Sequence, residues 1–392
     1  MNCLQTLGLK LALLSLLIGS AAVAASNPAK GHPILKSQDE IRFGLVACQS
    51  GNLKPWAEDE IKGVQLAIAT FNAAGGVGGR KVKLIIADSK SHPEDARIVA
   101  QKLVTEDKVV LLLGEIASGL TKQMAEAAAD SKIPILAVGA TRDSLNYENP
   151  NLFRVCYTDS QQALAMAKFA YRDLRLRRIA LVTDKLQPFS VGLSEGFRTA
   201  FTSLGGEIIS EQLYQTGDML FPDQTARLKR YKPQAIFLSG YFNEVGPFVR
   251  QAREAGVKAT MLGSDGWDSS EILATGGEAI FGSYFCNHYN NRDPRPVVTN
   301  FLTKWQMAYG GDVPSTAMGA LGYDAAMLAC KALLRAKTKD AAGLKRAIAN
   351  TVDFPGVTGR ITLKGNAGNP PKRIVIVKLT KLGQVFVTAE EP

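Results

Sequence analysis

The chain has 392 residues, 46% apolar and 21% charged. That composition excludes a largely disordered protein and leaves room for two domains of ordinary size. The net charge is +10, yet the basic residues are scattered, and their densest run (Arg172, Arg175, Arg177, Arg178) has no interleaved aromatics. Such a run at the end of a helix offsets the macrodipole, so nucleic acid is not an expected partner.

In chain order, Lys10 precedes an apolar run at 11–18, and Ala22-Val23-Ala24 supplies the small residues of a signal-peptidase site. Residues 1–24 are therefore expected to be a cleaved export signal and 25–39 a tether. The run is too short to span a bilayer. No cysteine stands at the signal's end, so the exported product is expected to be soluble and not lipid-anchored. Of five cysteines, Cys3 leaves with the signal, while Cys48, Cys156, Cys286 and Cys330 enter an oxidising compartment. Four thiols allow three complete pairings, and the sequence does not choose among them. His32, His92 and His288 are not spaced as metal ligands, so neither a metal nor a cofactor is expected.

Residues 41–47 read as a buried parallel strand. Ile61, Val64, Ile68 and Phe71 then mark one face of a helix, which ends at the glycines of 75–79. Those glycines follow a helix and precede a strand, the wrong order for a phosphate loop, so they read as a helix stop and turn. Strands at 82–87, 109–113 and 135–138 alternate with helices from about 94 and up to 131, the first turning Ile98, Leu103 and Val104 inward. A second series starts after Arg154: helix 161–174, strand 179–183, helix 192–204, strand 207–212, helix 223–231, strand 235–239, helix 244–255, strand 260–262. Helices at 297–309, 319–336 and 341–351 follow, then β-like segments at 359–363 and 374–379. Two parallel sheets with crossover helices imply two cores and a cleft.

Ligands of open α/β sheets bind beyond the carboxyl ends of the strands. The loops there carry Ser118, just before a helix, and Gly139-Ala140-Thr141. A hydroxyl and free amides at a helix start suit a small carboxylate, although Thr141 would serve equally as a cap. Asp265, between glycines on the other sheet, would pair with an ammonium or act as a turn residue. Trp56, Phe189, Tyr241 and Trp267 are candidate pocket walls. No Gly-x-Ser-x-Gly elbow and no contiguous histidine-plus-carboxylate motif stands at a strand end, which disfavours a hydrolase.

Several marks occur together in order: Ser50-Gly51 with Trp56, Asn72-Ala73-Ala74-Gly75-Gly76, Gly139-Ala140-Thr141, Thr183-Asp184-Lys185, Gly240-Tyr241-Phe242, Arg250 through Gly256, and Phe354-Pro355-Gly356-Val357-Thr358-Gly359. With them the chain resembles the periplasmic binding proteins of branched-chain amino acid ABC transporters, over about residues 41–386. The resemblance implies an α/β, type I periplasmic binding protein fold: two Rossmann-like lobes with parallel sheets joined by a three-strand hinge. It implies that Ser118 and Thr141 bind an α-carboxylate, that the Gly139 carbonyl and Asp265 hold an ammonium, and that Trp56, Phe189 and Tyr241 line the ligand space beside Ala140. Departures from the pattern are Asp265 where glutamate is usual, Phe189 for a tyrosine, Arg142 after Thr141, and the absence of an early disulfide.

Lobe 1 is expected at 40–154 and 288–368, lobe 2 at 155–287 and 369–392, with hinge crossings near 154–157, 284–288 and 368–372. The expected function is periplasmic capture of a small amino acid by a monomer, without enzymatic activity, and delivery to an ABC transporter permease. The alternative is a binding protein or sensor for an amide, urea or aromatic acid.

Overall fold

The computed structural model describes residues 40–391, so the export signal and the tether lie outside the described residues. The first series runs β1 (Ile41–Ala47), α1 (Lys54–Ala73), β2 (Val82–Asp88), α2 (Pro93–Thr105), β3 (Leu111–Leu113), α3 (Ser118–Ala128), β4 (Ile135–Ala137), α4 (Leu145–Glu148) and β5 (Leu152–Arg154). Its five strands form one parallel sheet in the order β2-β1-β3-β4-β5. Apart from Arg42, β1 is apolar and buried, because helices cover both faces of a central parallel strand.

The second series runs α5 (Asp159–Lys168), β6 (Arg178–Asp184), α6 (Pro188–Ser203), β7 (Glu207–Tyr214), α7 (Pro222–Tyr231), β8 (Ala235–Ser239), α8 (Phe242–Glu254), β9 (Thr260–Gly263), α9 (Glu271–Gly276) and β10 (Tyr284–Asn287). The chain continues through α10 (Pro296–Tyr309), α11 (Met318–Arg335), α12 (Ala341–Ala349), the hairpin β11 (Phe354–Gly356) and β12 (Gly359–Ile361), then β13 (Ile374–Thr380) and β14 (Gly383–Glu390). The second sheet has the order β14-β13-β10-β9-β8-β6-β7. It is mixed rather than purely parallel: β13 runs antiparallel to β10, and β14 to β13. A tight turn at 381–382 permits the last pair only as an antiparallel hairpin.

α11 returns the chain to the first sheet and lies against α1. At their crossing a Cβ on Gly63 would stand 2.0 Å from the Gly319 carbonyl oxygen. The two α-helices touch main chain to main chain there, which only glycine permits. β13 and β14 then return to the second sheet, so the chain passes three times between the sheets.

Several expectations are corrected. Ile98 is 53% exposed, because α2 turns Ala96, Ala100 and Leu103 to the sheet and a residue two places on faces the opposite side. The helix expected at 161–174 is α5 followed by a π-helical turn at Phe169–Asp173, where Leu174 N–H bonds the Phe169 carbonyl. α6 begins at Pro188, whose fixed φ suits a first helical turn. β5 and α4 are too short to show a period. Cys48, Cys156, Cys286 and Cys330 are all buried free thiols.

Candidate functional site

The carboxyl ends of both sheets face each other across a small cavity. Trp56, Ile116, Ser118, Gly139, Thr141 and Met318 line it from the first lobe, and Phe189, Tyr241, Asp265 and Gly266 from the second. A wider groove opens between the lobes beside Asp268, Tyr289 and Gln384. The smaller cavity is where charged, hydroxyl and aromatic groups converge.

Ser118 is the first residue of α3 and is buried. The first helical bond runs from Thr121 N–H to the Ala117 carbonyl, so the amides of 118–120 have no acceptor within the helix. Ser118 Oγ accepts from Arg142 N–H at 3.2 Å, leaving its own proton to donate. Thr141 follows β4, and its carbonyl accepts from Asp159 N–H at 2.8 Å. Gly139 has no room for a side chain, since a Cβ would come within 2.9 Å of Met318 Sδ. Donors without internal partners at a helix start make this wall suited to an anion.

On the facing wall, Asp265 opens a single 3₁₀ turn after β9. Gln162 Nε2 donates to its Oδ1 at 3.0 Å, and His288 Nε2 lies 3.0 Å from its Oδ2. Burial pushes the His288 imidazole below its ordinary value, against the pull of the Asp265 hydrogen bond. His288 also stacks on Tyr157, with ring centroids 3.9 Å apart. Among the described residues no lysine or arginine reaches Asp265 within salt-bridge distance. The same Gln162 amide spans to Asp159 Oδ1 at 3.1 Å. Burial lifts the Asp159 carboxyl to about 8, against the pull of the Gln162 hydrogen bond.

The aromatic wall is built across the lobes. Tyr241 stacks on Phe189 at 5.2 Å and meets Trp56 edge-on at 5.2 Å. Three other residues singled out in the sequence lie elsewhere. Ala140 is off the cavity lining and turns its carbonyl to Arg154. Trp267 is a core residue rather than a pocket wall: its indole donates to the Leu238 carbonyl at 3.1 Å and its ring fills the space over Gly263. Arg142 bonds Ser144 Oγ at 2.9 Å, away from the cavity.

Sequence reasoning missed Gln162, Asp159, His288, Ile116, Gly266 and Met318. His288 carried a faint signal, as one of three histidines and at an expected crossing. Behind Ile116 lies a buried cluster in which Ser89 Oγ donates to Glu115 Oε1 at 2.6 Å and Cys48 Sγ to Oε2 at 3.4 Å. No group of three or more potential ligands among the described residues is arranged to hold a metal. No helix among them is long and apolar enough to cross a membrane.

The profile of the periplasmic binding protein family matches residues 40–384. A leucine-binding protein from Thermotoga maritima superposes with a TM-score of 0.85 at 30% identity, over 90% of this chain and 99% of that one. A branched-chain amino acid transporter substrate-binding protein from Streptococcus pneumoniae, solved with isoleucine, gives 0.83 at 28% identity, over 90% and 99%. The Leu/Ile/Val-binding protein of Escherichia coli is 28% identical over 306 residues, 77% of this chain and 81% of that one.

Proposed function

This chain belongs to the periplasmic binding protein family, and we propose that it captures a small amino acid between its lobes and delivers it to an ABC transporter permease. One observation carries the reading: a helix start at Ser118 whose amides lack intrahelical acceptors, with Thr141 beside it, stands across one cavity from Asp265. A zwitterion satisfies both ends at once, and a cavity walled by Trp56, Phe189 and Tyr241 excludes the water that would compete. The Leu/Ile/Val-binding relatives support this ligand class. In this reading the chain is an exported, monomeric carrier of the periplasm and has no catalytic role. Lobe 1 is 40–154 with 288–368 and lobe 2 is 155–287 with 369–392. They close about the three crossings as a hinge.

The test is isothermal calorimetry of the protein against the common amino acids, with Asp265→Asn alongside. Loss of a buried charge partner costs about 2–5 kcal/mol, so affinity for the best amino acid is expected to fall by about 30-fold or more. Undiminished affinity in Asp265→Asn removes the ammonium assignment. A second reading rests on the protein donors that already meet both Asp265 oxygens, Gln162 and His288. They leave room for an uncharged end, as in an aromatic acid. Binding of benzoate with no response to any amino acid decides for that reading.

A further inference from the structure

Arg154 ends β5 and is completely buried, yet no carboxylate pairs with it among the described residues. Its guanidinium is held by neutral acceptors. Nη1 donates to the Ala140 carbonyl at 2.9 Å and Nη2 to the Arg142 carbonyl at 2.8 Å. Nε donates to Asn146 Oδ1 at 3.1 Å, and Nη2 reaches the same oxygen. Cys156 Sγ adds a second donor to the Ala140 carbonyl at 3.3 Å. The two carbonyls gripped by the guanidinium flank Thr141 on either side.

A buried cation costs several kcal/mol unless its surroundings oppose the cost. Two peptide carbonyls and one side-chain amide do so here: the carbonyls flank Thr141, and the amide is that of Asn146 on α4, the next helix. In a trans peptide the carbonyl and the N–H point opposite ways. Because the Ala140 carbonyl faces the guanidinium, the Thr141 N–H points away from it. A carbonyl that accepts from a cation also polarises its peptide and strengthens the donor at the other end. The next amide, that of Arg142, is fixed on Ser118 Oγ.

We infer that Arg154 is a positioning residue for the anion end of the site: from behind the loop it holds Thr141 between two pinned carbonyls and places a buried positive charge beneath the carboxylate-binding amides. This rests on the functional reading above. Arg154 does not touch the cavity; it acts through the loop. Its own N–H donates to the Gly368 carbonyl at 3.1 Å, which ties that loop to the last passage between the sheets.

The experiment compares Arg154→Met and Arg154→Lys with the unaltered protein by two independent readouts. The first is hydrogen exchange of peptides spanning 139–143 in ligand-free protein, expected to quicken by about tenfold in Arg154→Met while the β1 and β8 peptides keep their protection. The second is calorimetry with L-leucine and with L-leucinamide, which keeps the ammonium but lacks the carboxylate. Arg154→Met is expected to weaken L-leucine by about tenfold or more and L-leucinamide by less than about threefold. Arg154→Lys keeps the charge with a single reach and should fall between; it also serves if Arg154→Met does not fold. Equal losses for both probes, or unchanged exchange at 139–143, overturn the assignment. If the unaltered protein binds no amino acid, the functional reading fails, while the exchange arm still decides whether Arg154 holds the loop.

Discussion

The indole nitrogen of Trp56, on α1 of the first lobe, donates to the main-chain oxygen of Asp268 in the second lobe at 2.7 Å. The Asp268 carboxylate extends the clasp, accepting from Ala317 N–H and from Gln384 Nε2, each at 2.6 Å. Thus a wall of the cavity is also a fastening between lobes. Trp56→Phe keeps a smaller aromatic ring but leaves a buried carbonyl unpaired. Ligand affinity is expected to fall by about 1–3 kcal/mol, chiefly through faster release, as read by stopped-flow fluorescence with the best-binding amino acid.

Glu60 on α1 is fully buried, and neither carboxyl oxygen has a hydrogen-bond partner. Burial, and the nearby Glu115, push its carboxyl well above the ordinary range. Replacing an unpaired buried acid with an apolar side chain of similar volume removes the desolvation cost. Glu60→Met is expected to raise stability by about 1–3 kcal/mol at neutral pH in urea denaturation. A loss of stability would show that the carboxyl is paired in solution.

Burial lifts Glu115 from an ordinary 4.5 to about 7. Below the lower value both folded and unfolded chains hold the proton. Between the two values the unfolded chain releases it and the folded chain keeps it. This residue's contribution therefore falls as pH rises through that window, by at most about 1.4 kcal/mol per unit. Glu115→Gln keeps the shape and cannot ionise. Its stability relative to the parent is expected to climb from acid to neutral pH, as denaturation curves across the window will report.

The α1–α11 contact depends on two hydrogen atoms where other residues carry a side chain. A Cβ at Gly63 would strike the Gly319 carbonyl, and one at Gly322 would stand 2.6 Å from the Glu60 carbonyl. Neither obstacle is a side chain that can swing aside. Gly63→Ala is expected to cost about 1–3 kcal/mol or more, despite alanine's better helix propensity. A lowered melting temperature with unchanged far-ultraviolet circular dichroism would mark a packing fault rather than a lost helix.

Much of the architecture was legible because its signals are local. β8 runs Ala235–Ser239, with the bounds its apolar run implies, and β1 likewise spans Ile41–Ala47. The rule that ligands sit beyond strand ends directed attention to the loops bearing Ser118, Thr141 and Asp265, which line one cavity in the structure. What local pattern does not carry is partnership across long separations. Trp267 stands two residues from Asp265 in the sequence, yet it serves the core, because the chain turns its ring over Gly263.

From its residues alone the chain determined an alternating strand–helix order, two sheet systems and the chemistry at the strand ends, since periodicity and turn chemistry act over a few residues. Tertiary structure decided what those groups meet: Gln162 and His288 on Asp265, Arg154 behind Thr141, Trp56 against Asp268. These contacts join residues as much as 212 positions apart. Burial and hydrogen-bond pairing depend on the distances that folding creates, and those distances have no counterpart in the spacing of residues along the chain.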